Sequence, residues 1–230
     1  MSTTLPTIFC AIDTPDIDHA KNLINQIVPA GCGVKLGLEF FNSFGPDGIQ
    51  DIIDSCNNPP IFLDLKYYDI PNTVAGAVRA ASKLGVAYLN VHASGGLDMM
   101  KAAKDACAGD TKLLAVTILT SFDEPSIQAA GYQAGIQDRV VQLATLTQEA
   151  GLNGIVCSSH EIEAIRMACG NNFVLMVPGI RPAGSSADDQ KRIMTPKEAI
   201  DKGATHLVIG RPITKADNPA QAAKDIIQTL

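Results

Sequence analysis

An acid and a base stand two residues apart in the stretch IFLDLKYYDIPNT, residues 61–73. The stretch begins as an apolar strand, and strand side chains alternate between faces, so Asp64 and Lys66 are expected to point the same way. A third charge, Asp69, follows directly. Because a charge in a packed interior must be paired, this spacing predicts an ion-pair network around the lysine ammonium.

A second cation, Lys35, lies within another apolar run, GVKLG. We predict an alternating network of two cations and two anions, made of Lys35, Asp64, Lys66 and Asp69. A purely structural salt-bridge network is the alternative. We favour a catalytic role, because buried ion pairs contribute little compared with apolar residues and because perturbed charges cluster at functional sites.

The turn that follows this strand is polar and has a defined geometry. A residue before proline is biased to extended backbone, so Ile70 is predicted to be extended and Pro71 to begin a helix. Asp69, Asn72 and Thr73 then lie at the end of the strand. The sequence leaves open whether they face the site of their own chain or that of a neighbouring subunit.

Short apolar runs alternate with amphipathic segments along the whole chain. The runs are often β-branched and mostly bounded by Gly, Pro, Asn or Asp, as buried parallel strands are. There are eight of them: TIFCAI, GVKLGL, IFLDLK, YLNVHA, LLAVTIL, GIVCS, FVLMVPG and HLVIG. Eight strands with about eight helices predict an α/β chain, a (β/α)8 TIM barrel that forms a single domain over residues 1–230.

A doubly wound open sheet is the alternative fold. It is weakened because no GxGxxG follows the first apolar run and no GxxxxGK[ST] occurs in the sequence. Helix starts are marked by a capping residue before a proline, a pair suited to the first helical position. The pairs are Thr14–Pro15, Thr195–Pro196 and Asn218–Pro219.

The last two apolar runs lead into loops that contain glycine and arginine, PGIRPAG and IGRP. TIM barrels frequently bind phosphate after strands seven and eight, and glycines let backbone N–H groups approach an anion. Arg181 and Arg211 carry the guanidinium fork that fits phosphate oxygens. One such loop alone is better explained as an ordinary loop with a solvated arginine. Two such loops in the expected places predict a phosphate site with Gly179 and Gly210.

The composition argues against several classes of protein. A net charge of −6 and an aromatic content of 5% provide neither a basic stripe nor stacking side chains, so no nucleic-acid binding is expected. No apolar run approaches the ~18 residues of a membrane span, and MSTTLPT does not resemble a secretory leader. Six cysteines without a CxxC pair predict buried free thiols in a reducing, cytoplasmic location.

No metal site is predicted. The four histidines show no spacing that is typical of metal ligands. His92 ends an apolar run and could line the site, although a packed, hydrogen-bonded histidine is the simpler interpretation.

These motifs resemble the bacterial type of the orotidine 5′-phosphate decarboxylase family. DLKYYDIPNT fits its pattern of Asp, any residue, Lys, two residues, Asp and Ile-Pro-Asn-Thr. Supporting matches along the chain are AID, VKLGLEF, VTILTS, VCSSHE, PGIRP and VIGRPIT. Tyr67 and Tyr68 stand where relatives often have Phe-His, but no chemistry is assigned to these positions.

The resemblance implies a cofactor-free homodimer that converts orotidine 5′-phosphate to UMP and carbon dioxide. It implies that Lys66 donates a proton to C6 of the pyrimidine, flanked by Asp64 and Lys35, and that Asp69 and Thr73 reach the partner subunit's site. Further substrate-binding residues by the same resemblance are Ile70, Asp13 and Lys35 at the ribose, Thr120 and Ser121 near the pyrimidine, Gln190 between base and phosphate, and Arg181, Gly210 and Arg211 on the phosphate side.

Two other functions fit parts of the sequence. Magnesium-dependent phosphate-sugar barrels, such as keto-gulonate phosphate decarboxylase or hexulose phosphate synthase, share the Asp-x-Lys-x-x-Asp motif. They place a metal-binding acid on strand two, where this chain has Lys35. The other alternative, an inactive barrel that binds a nucleotide as a sensor or scaffold, is disfavoured by the intact set of charges.

Overall fold

The structure, a computed structural model, describes residues 5–182 and 194–230. Its eight strands are parallel and close into a barrel in chain order, which confirms the predicted (β/α)8 fold and excludes the open sheet. The strands are β1 (Ile8–Ile12), β2 (Gly33–Leu36), β3 (Ile61–Tyr67), β4 (Tyr88–His92), β5 (Lys112–Val116), β6 (Gly154–Val156), β7 (Val174–Val177) and β8 (His206–Ile209). Each overlaps one predicted apolar run.

Helices follow the strands and cover the outside of the barrel. They are α1 (Ile17–Ile27), α2 (Leu38–Ser55), α3 (Pro71–Ser82), α4 (Gly96–Ala106), α5 (Glu124–Ala129), α6 (Ile136–Glu149), α7 (Ile162–Cys169), α8 (Pro196–Asp201), α9 (Arg211–Thr214) and α10 (Pro219–Ile227). Their apolar faces pack against the strands, so the polar loops gather at the two ends of the barrel.

Local sequence sets where most helices begin. Thr195 caps α8 in a capping box: its hydroxyl accepts the N–H of Glu198, whose carboxylate accepts the N–H of Thr195. Asn218 caps α10 through its side-chain oxygen, and α3 begins at Pro71 after an extended Ile70. These three predicted starts are confirmed.

The predicted start of α1 is wrong. Asp16, and not Thr14, is the N-cap residue, since its carboxylate accepts the N–H of His19 at 3.0 Å and the helix begins at Ile17. The hydroxyl of Thr14 instead accepts the N–H of Asp16 at 3.2 Å. Asp is at least as good a cap as Thr, so the later position prevails and Pro15 lies in the turn before the helix.

The inside of the barrel is packed with side chains. They form a cluster that is separate from the larger core between strands and helices. Its members are Phe9, Phe62, Tyr88, Leu114, Val116, Val156, Met176 and Val208. Because this interior is filled, polar chemistry is confined to the open end of the barrel, where the carboxyl ends of the strands meet.

Aromatic rings form the floor of this interior. Tyr88 meets Phe9 and Phe62 edge to face, at ring-centroid distances of 5.7 and 6.3 Å. The Nδ1 of His206 donates to the carbonyl oxygen of Pro6 at 2.8 Å, so its Nε2 accepts the hydroxyl of Tyr88, also at 2.8 Å. Burial raises the pKa of Tyr88 to about 12 and lowers the pKa of His206, which keeps both groups neutral near pH 7.

We expect Tyr88→Phe to lower the free energy of unfolding by about 1–2 kcal/mol, because the buried Nε2 of His206 loses its donor. Urea denaturation at pH 7.5 measures this change. Tyr132→Phe is the matched control: its hydroxyl is 3.5 Å from that of Ser94 on a half-buried ring, so a loss below about 0.5 kcal/mol is expected. Equal losses of unfolding free energy in the two variants contradict the assigned hydrogen bond between Tyr88 and His206.

Candidate active site

Four charged side chains form a chain of ion pairs at the carboxyl ends of β1, β2 and β3. The carboxylate of Asp64 is central: its Oδ1 lies 2.6 Å from Nζ of Lys66 and its Oδ2 lies 3.4 Å from Nζ of Lys35. Lys35 also reaches Oδ1 of Asp13 at 3.4 Å. The side chains of Asp64 and Lys35 are each only 12% exposed, so these charges depend on one another rather than on water.

Within this chain the network alternates in sign, as predicted, and its second anion is Asp13. Asp13 stands at its end, whereas Asp69 is exposed and, within the described residues, forms no ion pair with this chain. Its carboxylate instead accepts the N–H of Ile70 at 2.7 Å. β3 ends at Tyr67, so Asp69 lies in the exposed turn between this strand and α3.

Electrostatics hold Asp64 ionised despite its burial. Burial alone would raise the pKa of its carboxyl group. The charges of Lys35 and Lys66, with hydrogen bonds from Lys66 and Asn90, outweigh that effect and hold the pKa below its usual range. The site therefore contains a permanent anion between two cations at neutral pH.

The end of β3 is irregular where it carries Lys66. Lys66 has a φ of 51°, in the left-handed region that side chains other than glycine rarely adopt. The pairing of β3 with β4 also shifts register between Leu63 and Tyr67. Asp64 and Lys66 do meet on one face, as predicted, but the strand reaches that arrangement through a bulge rather than through simple alternation.

Asn90 is a site residue that the sequence analysis missed. It is fully buried on β4, donates from Nδ2 to Oδ1 of Asp64 at 2.7 Å, and accepts the backbone N–H of Lys66 at 2.8 Å. The indication in the sequence is one polar residue inside the apolar run YLNVH. It passed unnoticed because no neighbouring residue suggests a partner for it.

The ion pairs border a mostly apolar cavity of about 230 Å³. Asp64, Lys66 and Lys35 form one side, and Thr120 and Ser121 lie on the wall. The apolar part of its lining includes Phe62, Val116, Ile118, Leu119, Val156, Pro178 and Val208. Thr120 and Ser121 come from the turn after β5, which ends at Val116.

A second, more polar cavity of about 510 Å³ adjoins the first through Lys35, Pro178 and Val208, which line both. The loops after β7 and β8 supply the predicted set to its wall, Gly179, Arg181, Gly210 and Arg211. Gly210 directly precedes α9, which begins at Arg211. The structure thus brings together the two loops that the sequence singled out, next to the end of the ion-pair chain at Asp13.

Two of the remaining predicted residues, Ile70 and Thr73, line neither of these cavities. Ile70 and Thr73 are exposed at the start of α3. Gln190 lies outside the described residues. His92 packs its ring against Tyr68 with centroids 5.7 Å apart, and burial together with the charge of Lys66 lowers its pKa.

Within 5–182 and 194–230, no three His, Cys, Asp or Glu side chains are grouped so as to hold a metal ion. The acids beside the cavities, Asp13 and Asp64, are bridged by the ammonium of Lys35. No helix in this part of the chain is both long and apolar enough to cross a membrane.

Comparison with known proteins places this geometry in a family. The model of the orotidine 5′-phosphate decarboxylase / HUMPS family matches residues 6–226. The orotidine 5′-phosphate decarboxylase of Nitrosococcus oceani is 50% identical over 222 residues, 95% of each chain, and that of Pseudoalteromonas translucida is 49% identical over 227 residues, 97% of this chain and 96% of the relative.

The chain belongs to the orotidine 5′-phosphate decarboxylase / HUMPS family. A crystal structure of orotidine 5′-phosphate decarboxylase from Lactobacillus acidophilus superimposes with a TM-score of 0.86 at 34% identity, covering 98% of this chain and 99% of that one. The resemblance inferred from DLKYYDIPNT is therefore confirmed. In this decarboxylase-family chain, the motif forms the end of β3, the following turn and the start of α3.

For this family member, we expect Asp64→Asn to lower the free energy of unfolding by about 3 kcal/mol at pH 7, because two largely buried ammonium groups lose their shared anion. The folded-state pKa of Asp64 is depressed, so its contribution is complete above its unfolded pKa of about 3.9 and is lost as the pH falls through the folded value. Parent and variant should therefore converge in strong acid. Urea denaturation at several pH values measures this.

Asp201→Asn is the matched control for this prediction. Asp201 pairs with Lys197 at 3.3 Å, but both side chains are more than 60% exposed. An exposed pair of this kind is worth little, so the control should change stability by less than about 0.5 kcal/mol at every pH. A loss as small as this in Asp64→Asn contradicts the assigned role of Asp64.

Proposed function

We propose that this chain decarboxylates orotidine 5′-phosphate to UMP and carbon dioxide without a cofactor. The observation that carries the proposal is the Asp64–Lys66 pair at the edge of an apolar cavity that opens into a glycine- and arginine-lined one. A flat base fits the first cavity and a phosphate fits the second. The names of the relatives in the family support the same reaction.

The chemistry requires a cation beside the carbon that loses its carboxyl group. Departure of carbon dioxide from C6 leaves an electron pair in the plane of the pyrimidine ring, where the ring π-system cannot delocalise it well. A fixed ammonium next to that carbon stabilises the developing carbanion. We assign this role to Lys66, which then gives a proton from Nζ to C6 and forms UMP.

Asp64 and Lys35 act on that ammonium rather than on the substrate carbon. Asp64 aims Nζ of Lys66 through a 2.6 Å contact, and Lys35 balances the charge of Asp64. Asp69 adds a further acid in our assignment, delivered by the partner subunit. Repulsion between such an acid and the substrate carboxylate is a contested contribution, and we rank it below stabilisation of the transition state.

The two cavities suggest how the substrate lies. With C6 at Lys66, the pyrimidine contacts Thr120 and Ser121, which line the first cavity. The ribose lies where Lys35 and Asp13 border the second cavity, and the phosphate lies at Gly210 and its neighbours. Those neighbours are Arg211 and, from the loop after β7, Arg181. Gln190 keeps its assigned place between base and phosphate by resemblance alone.

We also propose a homodimer in which Asp69 and Thr73 enter the partner subunit's site, with Ile70 at the contact. Support comes from exposure: every residue from Tyr68 to Thr73 is exposed, including Tyr68 at 62% and Ile70 at 68%. Large apolar side chains that are exposed side by side mark contact surfaces.

We further propose that residues 1–230 act as one domain. Six free cysteines also support a reducing environment, so we propose that the enzyme works in the cytoplasm.

The reaction is tested by following orotidine 5′-phosphate spectrophotometrically with purified parent protein after exhaustive chelation. We expect conversion to UMP with one equivalent of carbon dioxide, at a rate unchanged by added magnesium. The same assay separates the alternative: turnover that depends on added magnesium favours the metal-dependent phosphate-sugar barrels. Absence of conversion under both conditions contradicts the proposed function.

Arg211→Ala should lower kcat/KM for orotidine 5′-phosphate about 100-fold or more, because binding of the remote phosphate contributes to assembling the site. The control is the substrate without phosphate, orotidine. Parent and variant should process it equally slowly, since Arg211 then has no ligand. Near-parent efficiency on dilute orotidine 5′-phosphate contradicts the assignment.

Mixing two inactive variants tests whether Asp69 crosses to the partner subunit's site. Lys66→Ala and Asp69→Ala alone should each lose at least about 100-fold in kcat. After co-refolding, hybrid dimers hold one site with both native residues, so up to about one quarter of parent activity should return. No recovery in hybrids of confirmed dimeric mass shows that Asp69 acts in its own subunit or not at all.

A further inference from the structure

The irregular pairing of β3 with β4 surrounds one residue, Asn90. Leu63 pairs with Leu89, and Tyr67 pairs with Val91. Four steps along β3 therefore face two steps along β4, and the segment from Asp64 to Lys66 has only Asn90 opposite it. A bulge of this kind re-aims side chains but leaves ladder hydrogen bonds unmade.

Asn90 forms one hydrogen bond to the backbone of this segment and one to a side chain on it. The backbone N–H of Lys66 can only donate, so Oδ1 of Asn90 must face it, at 2.8 Å. The amide orientation is thereby fixed, and Nδ2 donates to Oδ1 of Asp64 at 2.7 Å. An ionised carboxylate accepts only, so this side of the amide also matches its partner.

These contacts close a ring through the two charged residues. Oδ1 of Asp64 receives Nδ2 of Asn90 and also Nζ of Lys66, and Asn90 holds the backbone of the same lysine. Lys66 is thus held at both its backbone and its ammonium. Its left-handed backbone, with φ 51°, is a strained conformation that persists only where surrounding contacts over-determine it.

We propose that Asn90 is a positioning residue for the decarboxylation: it holds the strained backbone of Lys66 and one oxygen of Asp64, so that the ammonium points into the cavity. This inference rests on the proposed function. Asn90 touches neither cavity, so it acts through its two neighbours. A fully buried amide costs free energy unless it is satisfied, and here both of its partners belong to the reacting pair.

Asn153 is the matched structural counterpart. Its Oδ1 also accepts a backbone N–H from a neighbouring strand, that of Leu113 on β5, at 2.9 Å. It lies at the opposite end of the barrel, just before β6 begins. The hydrogen bond recorded for its side chain among the described residues goes to the backbone and not to an ionised group, so a loss that comes only from barrel hydrogen bonding should appear equally at Asn153.

The experiment compares three variants of the full-length chain, with orotidine 5′-phosphate and UMP as probes. Asn90→Leu removes both hydrogen bonds at similar volume. Asn90→Asp keeps the acceptor for the N–H of Lys66 but replaces the donor to Asp64 with a second carboxylate. Asn153→Ala reports the cost of a comparable structural hydrogen bond.

We expect both Asn90 variants to lose about 100-fold in kcat while their affinity for UMP stays within about twofold, because misplacement of the reacting group affects chemistry and not binding. The acid limb of kcat/KM should also move to higher pH. Asn90 helps to hold the pKa of Asp64 down, so losing its donor raises that pKa, and the added carboxylate in Asn90→Asp raises it further. Asn153→Ala should change neither quantity.

The proposal is overturned if folded Asn90 variants keep kcat within about threefold of the parent with an unmoved acid limb, or if Asn153→Ala reproduces their loss and shift. Should Asn90→Leu not fold, the acid limb of Asn90→Asp decides. Should the parent not decarboxylate orotidine 5′-phosphate, the proposed function fails by itself. A ¹³C titration of the Asp64 carboxyl group then decides: a raised pKa in Asn90→Asp supports positioning, and an unchanged one overturns it.

Discussion

One carboxylate shared by two ammonium groups is the interaction on which the rest of this site depends. Asp64 is buried at the open end of the barrel, above an interior that is packed with apolar and aromatic side chains. Its charge persists because Lys35 and Lys66 flank it, and their charges persist because it is there. With Asp13 at the end, the four charges sum to zero, so the partly exposed ammonium of Lys66 belongs to a chain of ion pairs without net charge.

The barrel wall gives this charge chain its direction. Neighbouring strands β1, β2 and β3 place Asp13, Lys35 and Asp64 side by side, because parallel strands end together at one rim. The bulge at the end of β3 then brings Lys66 against Asp64, and Asn90 forms a hydrogen bond with each of them. Strain in the backbone is thus located at the residue whose position matters most for the proposed chemistry.

Much of the fold and part of the site follow from the sequence. Eight β-branched runs bounded by Gly, Pro or Asn predict the strands, because a buried parallel strand needs both features, and the loops after β7 and β8 are found by their place in the barrel. The ion pair between Asp13 and Lys35 could not be predicted, because it depends on which strand ends lie within reach. Asn90 could not be predicted because its hydrogen bonds depend on a bulge in β3. Asp16 was missed as the N-cap of α1 because Asp and Thr differ little in capping free energy.

The central claim is that the Lys66 ammonium carries the decarboxylation, and single-turnover measurement of Lys66→Ala tests it most directly. The affinity of the folded variant for UMP separates an effect on chemistry from an effect on binding. Lys197→Ala removes an exposed lysine and controls for a general loss of positive charge. The account predicts that Lys66→Ala still binds UMP but releases carbon dioxide about 10⁴-fold or more slowly, and that the control is unchanged. Carbon dioxide release within about tenfold of the parent rate in Lys66→Ala contradicts it.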